Sequence, residues 1–155
     1  MKNKLLLIFG LINMASFSQK SEELDVRQTI DDFFMAFHAK DSVAMNQVVN
    51  QTIVLQTIEK NNEGIGILKT ERFLDMIAHI TSIPDSISFE ERLTDYNIQI
   101  DGNMAHVWTP YEFWFKGVFH HCGVNSFQLF KDKVSWKIIY LIDTRRIKGC
   151  FPETE

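Results

Sequence analysis

Two histidines and a cysteine stand in a row at His120, His121 and Cys122, inside the stretch VFHHCGVNSF. Such a triplet suits a metal site, a thiol centre or one wall of a small-molecule pocket. Successive side chains on a strand point to opposite faces, so His120 and His121 cannot readily share one metal ion. No Cys-x-x-Cys or His-Glu-x-x-His spacing occurs, and neither a metal nor another cofactor is indicated. Cys122 shares a face with His120 at i, i+2. That leaves a thiolate or two-ligand centre open, although a buried or disulfide-bonded cysteine is the commoner role.

Turn positions set what His121 can meet. If Lys116-Gly117 is a two-residue turn, Phe115 faces Val118, Glu112 lies opposite His121, and Trp108 lies near Asn125. A second two-residue turn at Asp132-Lys133 puts Thr144 opposite His121 and Tyr140 opposite Asn125. One face then gathers Trp108, Glu112, Trp114, His121, Asn125, Tyr140 and Thr144, with Tyr111, His120, Cys122, Asp143 and Arg145 behind it.

A carboxylate beside an imidazole orients it and raises its pKa. Glu112 and His121 are therefore the candidate catalytic pair, for proton transfer. Trp108, Trp114, Asn125, Tyr140 and Thr144 are the candidate ligand-binding residues around it. The plain alternative is a charge-supported pair packed in a sheet. Pro110 lacks an amide hydrogen and belongs at a bulge or edge; a bulge there would replace Trp108 by Ala105 and Val107 on the Glu112 side. Asp143 with Arg145 or Arg146 reads as a structural ion pair, and His38 with Asp41 as a helix cap or the border of a cavity.

The elements that must position these residues come in a definite order. Leu24, Ile30, Phe33, Phe34 and Phe37 recur at helical spacing between Ser21 and about Lys40. A short helix follows over Asp41 to Val49, capped by Asp41, with Ala44, Met45 and Val48 inward. The run Thr52 to Ile58 is a strand, Glu59 to Gly66 a polar loop, and Thr70 to Ser82 a third helix, capped by Thr70 and ended before Pro84. Four strands complete the chain: Ile87 to Ile100, Met104 to Phe115, Val118 to Phe130 and Val134 to Arg145, with Trp136 packed under the helices.

The 155 residues suit one domain over residues 19–155. A net charge of -4 and no clustered Lys or Arg argue against a nucleic-acid surface. Thirteen Phe and three Trp can line a cavity as well as fill a core, which favours a small hydrophobic or aromatic molecule as partner. Lys2 and Lys4, the apolar run Leu5 to Phe17, and small Ser16 and Ser18 form an export signal over residues 1–18, cleaved near Ser18. The apolar run is too short to stay in a bilayer as an anchor. Export, to the periplasm or outside the cell, would place Cys122 and Cys150 where two thiols can pair.

The helix pair, short strand, third helix and long strands resemble the nuclear transport factor 2-like superfamily, which includes the SnoaL-like proteins. The likeness rests on FHAKD at Phe37 to Asp41, DGNMAHVWTPYEFWFKG at Asp101 to Gly117, HCGVNSFQLF at His121 to Phe130, and WKIIYLIDTRR at Trp136 to Arg146. It implies an α+β fold, three helices on a strongly curved antiparallel sheet around a conical pocket, and a homodimer through the sheet. It implies no mechanism, because isomerases, dehydratases, cyclases and binding domains share the fold. The first helix carries no Tyr, unlike the superfamily's enzymes that work through one there.

Overall fold

The computed structural model describes the backbone of residues 3–150 and the side chains of residues 20–150. The export signal and its cleavage point at Ser18 therefore lie outside the residues whose side chains are described. The first helix, α1, runs Asn3–His38 and buries Val26, Ile30, Phe33 and Phe34. These positions make one stripe at three-to-four-residue spacing. Leu24 falls off that stripe and faces solvent. Lys40 takes a left-handed backbone (φ 56°) and turns the chain. Asp41 then caps α2 (Ser42–Val48), accepting from the Val43 and Ala44 amides, and Met45 is buried beneath it.

Two expectations for the next segment fail. Residues 59–66 are not a long loop: β1 (Val49–Lys60) and β2 (Gly66–Glu71) form an antiparallel hairpin. The Asn61 side chain accepts from the Glu63 and Ile65 amides, so a polar stretch closes a tight turn. Thr70 consequently pairs in β2 with Gln56 and caps nothing. The third helix, α3, begins later, at Phe73–Ser82, and buries Phe73, Ile77 and Ile80 while Leu74 stays exposed.

The run expected as one strand over Ile87 to Ile100 is two, β3 (Phe89–Leu93) and β4 (Asn97–Asp101), both paired with β5 (Met104–Phe115). Pro110 sits on β5 where its neighbour changes from β3 to β4, a place that asks for no amide donor, and its carbonyl accepts from Thr94. With β6 (Val118–Lys131) and β7 (Trp136–Arg146) the sheet order is β2-β1-β7-β6-β5-β3. Every pairing is antiparallel except β1 with β7, which is parallel.

Two one-residue bulges decide which side chains face the helices. Phe115 does pair with Val118 across the Lys116-Gly117 turn. Trp114 then pairs with Phe119 and Phe113 with His121, leaving His120 as an extra residue. Glu112 therefore lies opposite Cys122, not His121. The bulge also brings the two adjacent rings together, with His120 and His121 Nδ1 atoms 2.8 Å apart, instead of on opposite faces. On the other side the turn spans four residues, Asp132 to Ser135, because the Asp132 carboxylate accepts from the Val134 and Ser135 amides. Ile139 is a second extra residue, so Asn125 pairs with Asp143 and not Tyr140, and Thr144 pairs with Val124 and not His121.

The inner face of the sheet supplies Ala105, Val107, Phe127, Leu129, Trp136 and Ile138, which pack against Val26, Ile30, Phe33 and Phe34 of α1. Removing each large side chain from water is worth about 1.5–3 kcal/mol, so this layer fixes α1 on the sheet. Cys122 and Cys150 are disulfide-bonded, their Cα atoms 5.6 Å apart, which ties the tail beyond β7 to β6. Among the described residues no helix is long and apolar enough to cross a membrane.

Candidate functional site

Beside this core, α1, α3 and the inner face of β3, β5, β6 and β7 leave a cavity of about 460 Å³. Its walls are rings and aliphatic chains: Phe33 and Phe37 from α1, Met76 and Ile80 from α3, Phe89 from β3 and Phe113 from β5. Its polar groups are Glu91 of β3, His120, His121 and Asn125 of β6, and Asp143 and Arg145 of β7, with Glu71 of β2 and His79 of α3 beside them.

Two small networks hold these groups. In the first, Asn125 donates through Nδ2 to Oε1 of Glu91 at 2.6 Å, and the Glu91 amide donates to His38 Nε2 at 2.8 Å. His38 therefore accepts at Nε2 and carries its proton on Nδ1. In the second, Asp143 accepts from Thr57 Oγ1 at 2.5 Å, from the Tyr111 hydroxyl at 3.0 Å and from Arg145 Nε at 2.9 Å. The Tyr111 hydroxyl lies equally close to the Thr144 carbonyl, 3.0 Å away, and shares its one proton. The His121 ring stacks on Phe113, centroids 4.9 Å apart, and meets Tyr111 edge-on.

Burial sets the proton affinities. It pushes the Glu91 carboxyl up to about 7; the Asn125 hydrogen bond pulls back, Asp143 adds to the rise and Arg145 opposes it. Burial, then the charges of Arg145 and His120, push His121 down to about 4, with Asp143 opposing. Burial likewise lowers His38, against Glu90. Burial and the charges of Asp143 and Glu91 raise Tyr111, which stays a hydrogen-bond donor at any ordinary pH. At neutral pH the cavity thus holds an uncharged imidazole and a carboxyl that exchanges its proton readily. The Asp143 carboxylate, saturated by three donors, is structural. Among the described residues no group of three or more His, Cys, Asp or Glu is arranged to hold a metal ion.

No protein-family model matches the sequence, and no curated protein matches it. Solved structures do match. A protein with a cystatin-like fold from Novosphingobium aromaticivorans superposes with a TM-score of 0.66 at 12% identity, covering 88% of each chain. One from Cytophaga hutchinsonii, described as nuclear transport factor 2-like, gives 0.61 at 16% identity over 78% of this chain and 95% of its own. A candidate dehydratase of the same family from Streptomyces avermitilis gives 0.64 at 14% identity over 84% and 99%. The chain has the nuclear transport factor 2-like fold.

Within this nuclear transport factor 2-like fold, the residues singled out by sequence divide in two. His121 and Asn125 line the cavity. Glu112, Trp108, Trp114, Tyr140 and Thr144 do not, because the bulge at His120 offsets the β5–β6 pairings by one residue, and the four-residue turn with the bulge at Ile139 offsets the β6–β7 pairings by three. Glu112 accepts from Trp114 Nε1, Tyr140 bonds Gln56, Thr144 accepts from the Val124 amide, and Trp108 is half exposed on the outer face. Their places are taken by Phe113, Asp143 and Arg145, all adjacent in sequence to residues of the expected set. Glu91 escaped notice altogether, since Glu90-Glu91-Arg92 reads as a solvated charge run. One signal was available: Glu91 lies two residues from Phe89 on a strand and so shares its inward face.

Proposed function

We propose that the protein is an exported small-molecule-binding domain whose cavity takes a small hydrophobic, ring-containing molecule. The observation that carries this reading is the unfilled space between five or six apolar walls and a few convergent polar groups, of a size suited to one such molecule. A thermal-shift screen of the purified protein against steroids, polyketides, flavins and aromatic acids tests it, repeated on the cavity-filling variant Leu141→Trp, since Leu141 of β7 is also a wall residue. Stabilisation of the wild type that the filled variant lacks supports the reading. Equal stabilisation of both proteins places binding elsewhere and overturns it.

A second reading, proton transfer on the bound molecule, rests on Glu91. A buried carboxyl poised at about 7 suits a general base or acid, and a candidate dehydratase is among the structural neighbours. Turnover that rises with pH through about 7 and is lost in Glu91→Gln would support it; turnover indifferent to that substitution would remove Glu91 from the mechanism.

Export draws support from the basic, apolar start of the chain and from the Cys122–Cys150 disulfide. The mass of the protein recovered from outside the cytoplasm would begin at Gln19. The half-exposed Trp108 on the outer sheet face suits a homodimer through the sheet, which Trp108→Glu should convert to a monomer in sedimentation experiments.

A further inference from the structure

We propose that the cavity's ligand is a singly charged organic amine, its ammonium group held by the Glu91 carboxylate and Asn125 Oδ1 and its apolar body lying on the Phe37, Phe89 and Phe113 rings. This deepens the small-molecule reading above and rests on it. The first argument is the count of unused hydrogen-bonding groups. Asn125 spends Nδ2 on Glu91 Oε1, which leaves Asn125 Oδ1 and Glu91 Oε2 without a donor among the described residues. Among the described residues no buried side-chain oxygen or nitrogen lacks a partner, so these two oxygens open onto the cavity. Both are acceptors when Glu91 is ionised, and a ligand that satisfies both must bring donors.

The second argument is charge. Two buried or half-buried carboxyl groups, Glu91 and Asp143, and the exposed Glu71 line the cavity with one guanidinium, Arg145, which donates to Asp143 Oδ2 and Thr57 Oγ1. His121, which could have supplied a second positive charge, is kept neutral by burial and by Arg145 itself. A buried carboxylate without a cation is costly, and one positive charge on the ligand offsets that of Glu91, while the exposed Glu71 keeps its water. The third is the wall: aromatic faces attract a cation and bury a hydrocarbon body at once.

The ionisable groups around Glu91 are His38 from α1, His120 and His121 from β6, Asp143 and Arg145 from β7, Glu71 from β2 and His79 from α3. An alkylammonium ion stays charged from pH 5.5 to 8.5, whereas Glu91 goes from largely protonated to largely ionised. The other ionisable groups are the same in the wild type and in Glu91→Gln. The part of the pH dependence due to Glu91 is therefore the part that Glu91→Gln removes.

Calorimetric titration with 2-phenylethylamine, its neutral counterpart 2-phenylethanol and its acidic counterpart phenylacetate decides the matter. The amine should bind about 30-fold more tightly at pH 8.5 than at pH 5.5, outbind both counterparts at pH 8.5, and lose that advantage in Glu91→Gln. Should that variant fail to fold, the contrast of amine and alcohol on the wild type stands alone. Tighter binding of 2-phenylethanol or phenylacetate, or amine binding unchanged in Glu91→Gln, overturns the amine and leaves the cavity a site for other small molecules. Binding of none of the three also overturns it, and the Leu141→Trp screen then judges the broader reading by itself.

Discussion

Glu91 and Asn125 join β3 to β6 over the intervening strand β5, through a 2.6 Å hydrogen bond between residues 34 apart in sequence. The bond fixes a carboxyl that burial brings to about 7, beside an imidazole whose charge is suppressed.

Stability should show these two groups pulling against each other. His121 has a lowered affinity for protons in the folded state, about 4 against the ordinary 6.5, so its contribution is intact above pH 6.5 and is lost as pH falls toward 4. Glu91 is raised, about 7 against 4.5, so its contribution is intact below 4.5 and is lost as pH rises through 7. Between pH 4.5 and 6.5 the two slopes oppose. In Glu91→Gln the urea midpoint should rise with pH across that window, and in His121→Gln it should fall, each by the equivalent of about 2 kcal/mol. Parallel pH profiles in the two variants would contradict the assignment.

Gly123 admits no side chain. A Cβ there would stand 1.7 Å from the Thr144 carbonyl oxygen and 2.7 Å from Tyr111 Cε1, where the backbone of β7 cannot move without breaking the pairing. Gly123→Ala should cost at least about 2 kcal/mol in urea unfolding, and an unaltered midpoint would show that the strands lie farther apart.

Reduction should act on the tail and on global stability together. The Cys122–Cys150 bond spans 28 residues, a loop for which cross-linking is worth about 3 kcal/mol. The Cys150→Ser protein and the reduced wild type should unfold at the same lowered urea concentration, and dithiothreitol should have no further effect on the variant.

Lys40 latches the far end of α3. Its Nζ donates to the Ile83 carbonyl at 2.9 Å and the Pro84 carbonyl at 2.8 Å and lies 3.5 Å from an Asp85 oxygen. Lys40→Met should lower stability by about 1–2 kcal/mol and speed amide exchange in α3 more than in β6. Uniform acceleration would mean that α3 is held by its buried face alone.

How far the sequence could be read depended on the kind of signal. The stripe Ile30, Phe33, Phe34 and Phe37, the Asp41 cap and the Lys116-Gly117 turn are local or periodic signals, and each element they mark is present. His121 and Asn125 were legible for the same reason, lying at even spacing on one strand. Their partners were not. Pairing across strands depends on every residue between a turn and the site, and the extra residues His120 and Ile139 carry no mark in composition or spacing. Glu91 lies on β3, whose break from β4 at Thr94 to Tyr96 depends on which neighbour Pro110 meets, a tertiary matter.

The bulges also separate chain length from strand register. On either side of His120, Trp114 with Phe119 and Phe113 with His121 already alternate correctly, and the same is true of Gln128 with Tyr140 and Leu129 with Ile138 around Ile139. Loss of Ile139 would leave the side chains that meet the cavity where they are, whereas loss of His120 would keep the register but take one ring out of the cavity wall. A one-residue gain or loss elsewhere in β6 or β7 would exchange interior for exterior along the rest of the strand. In descent, the bulge at Ile139 is the place where β7 can change length without changing the lining of the cavity.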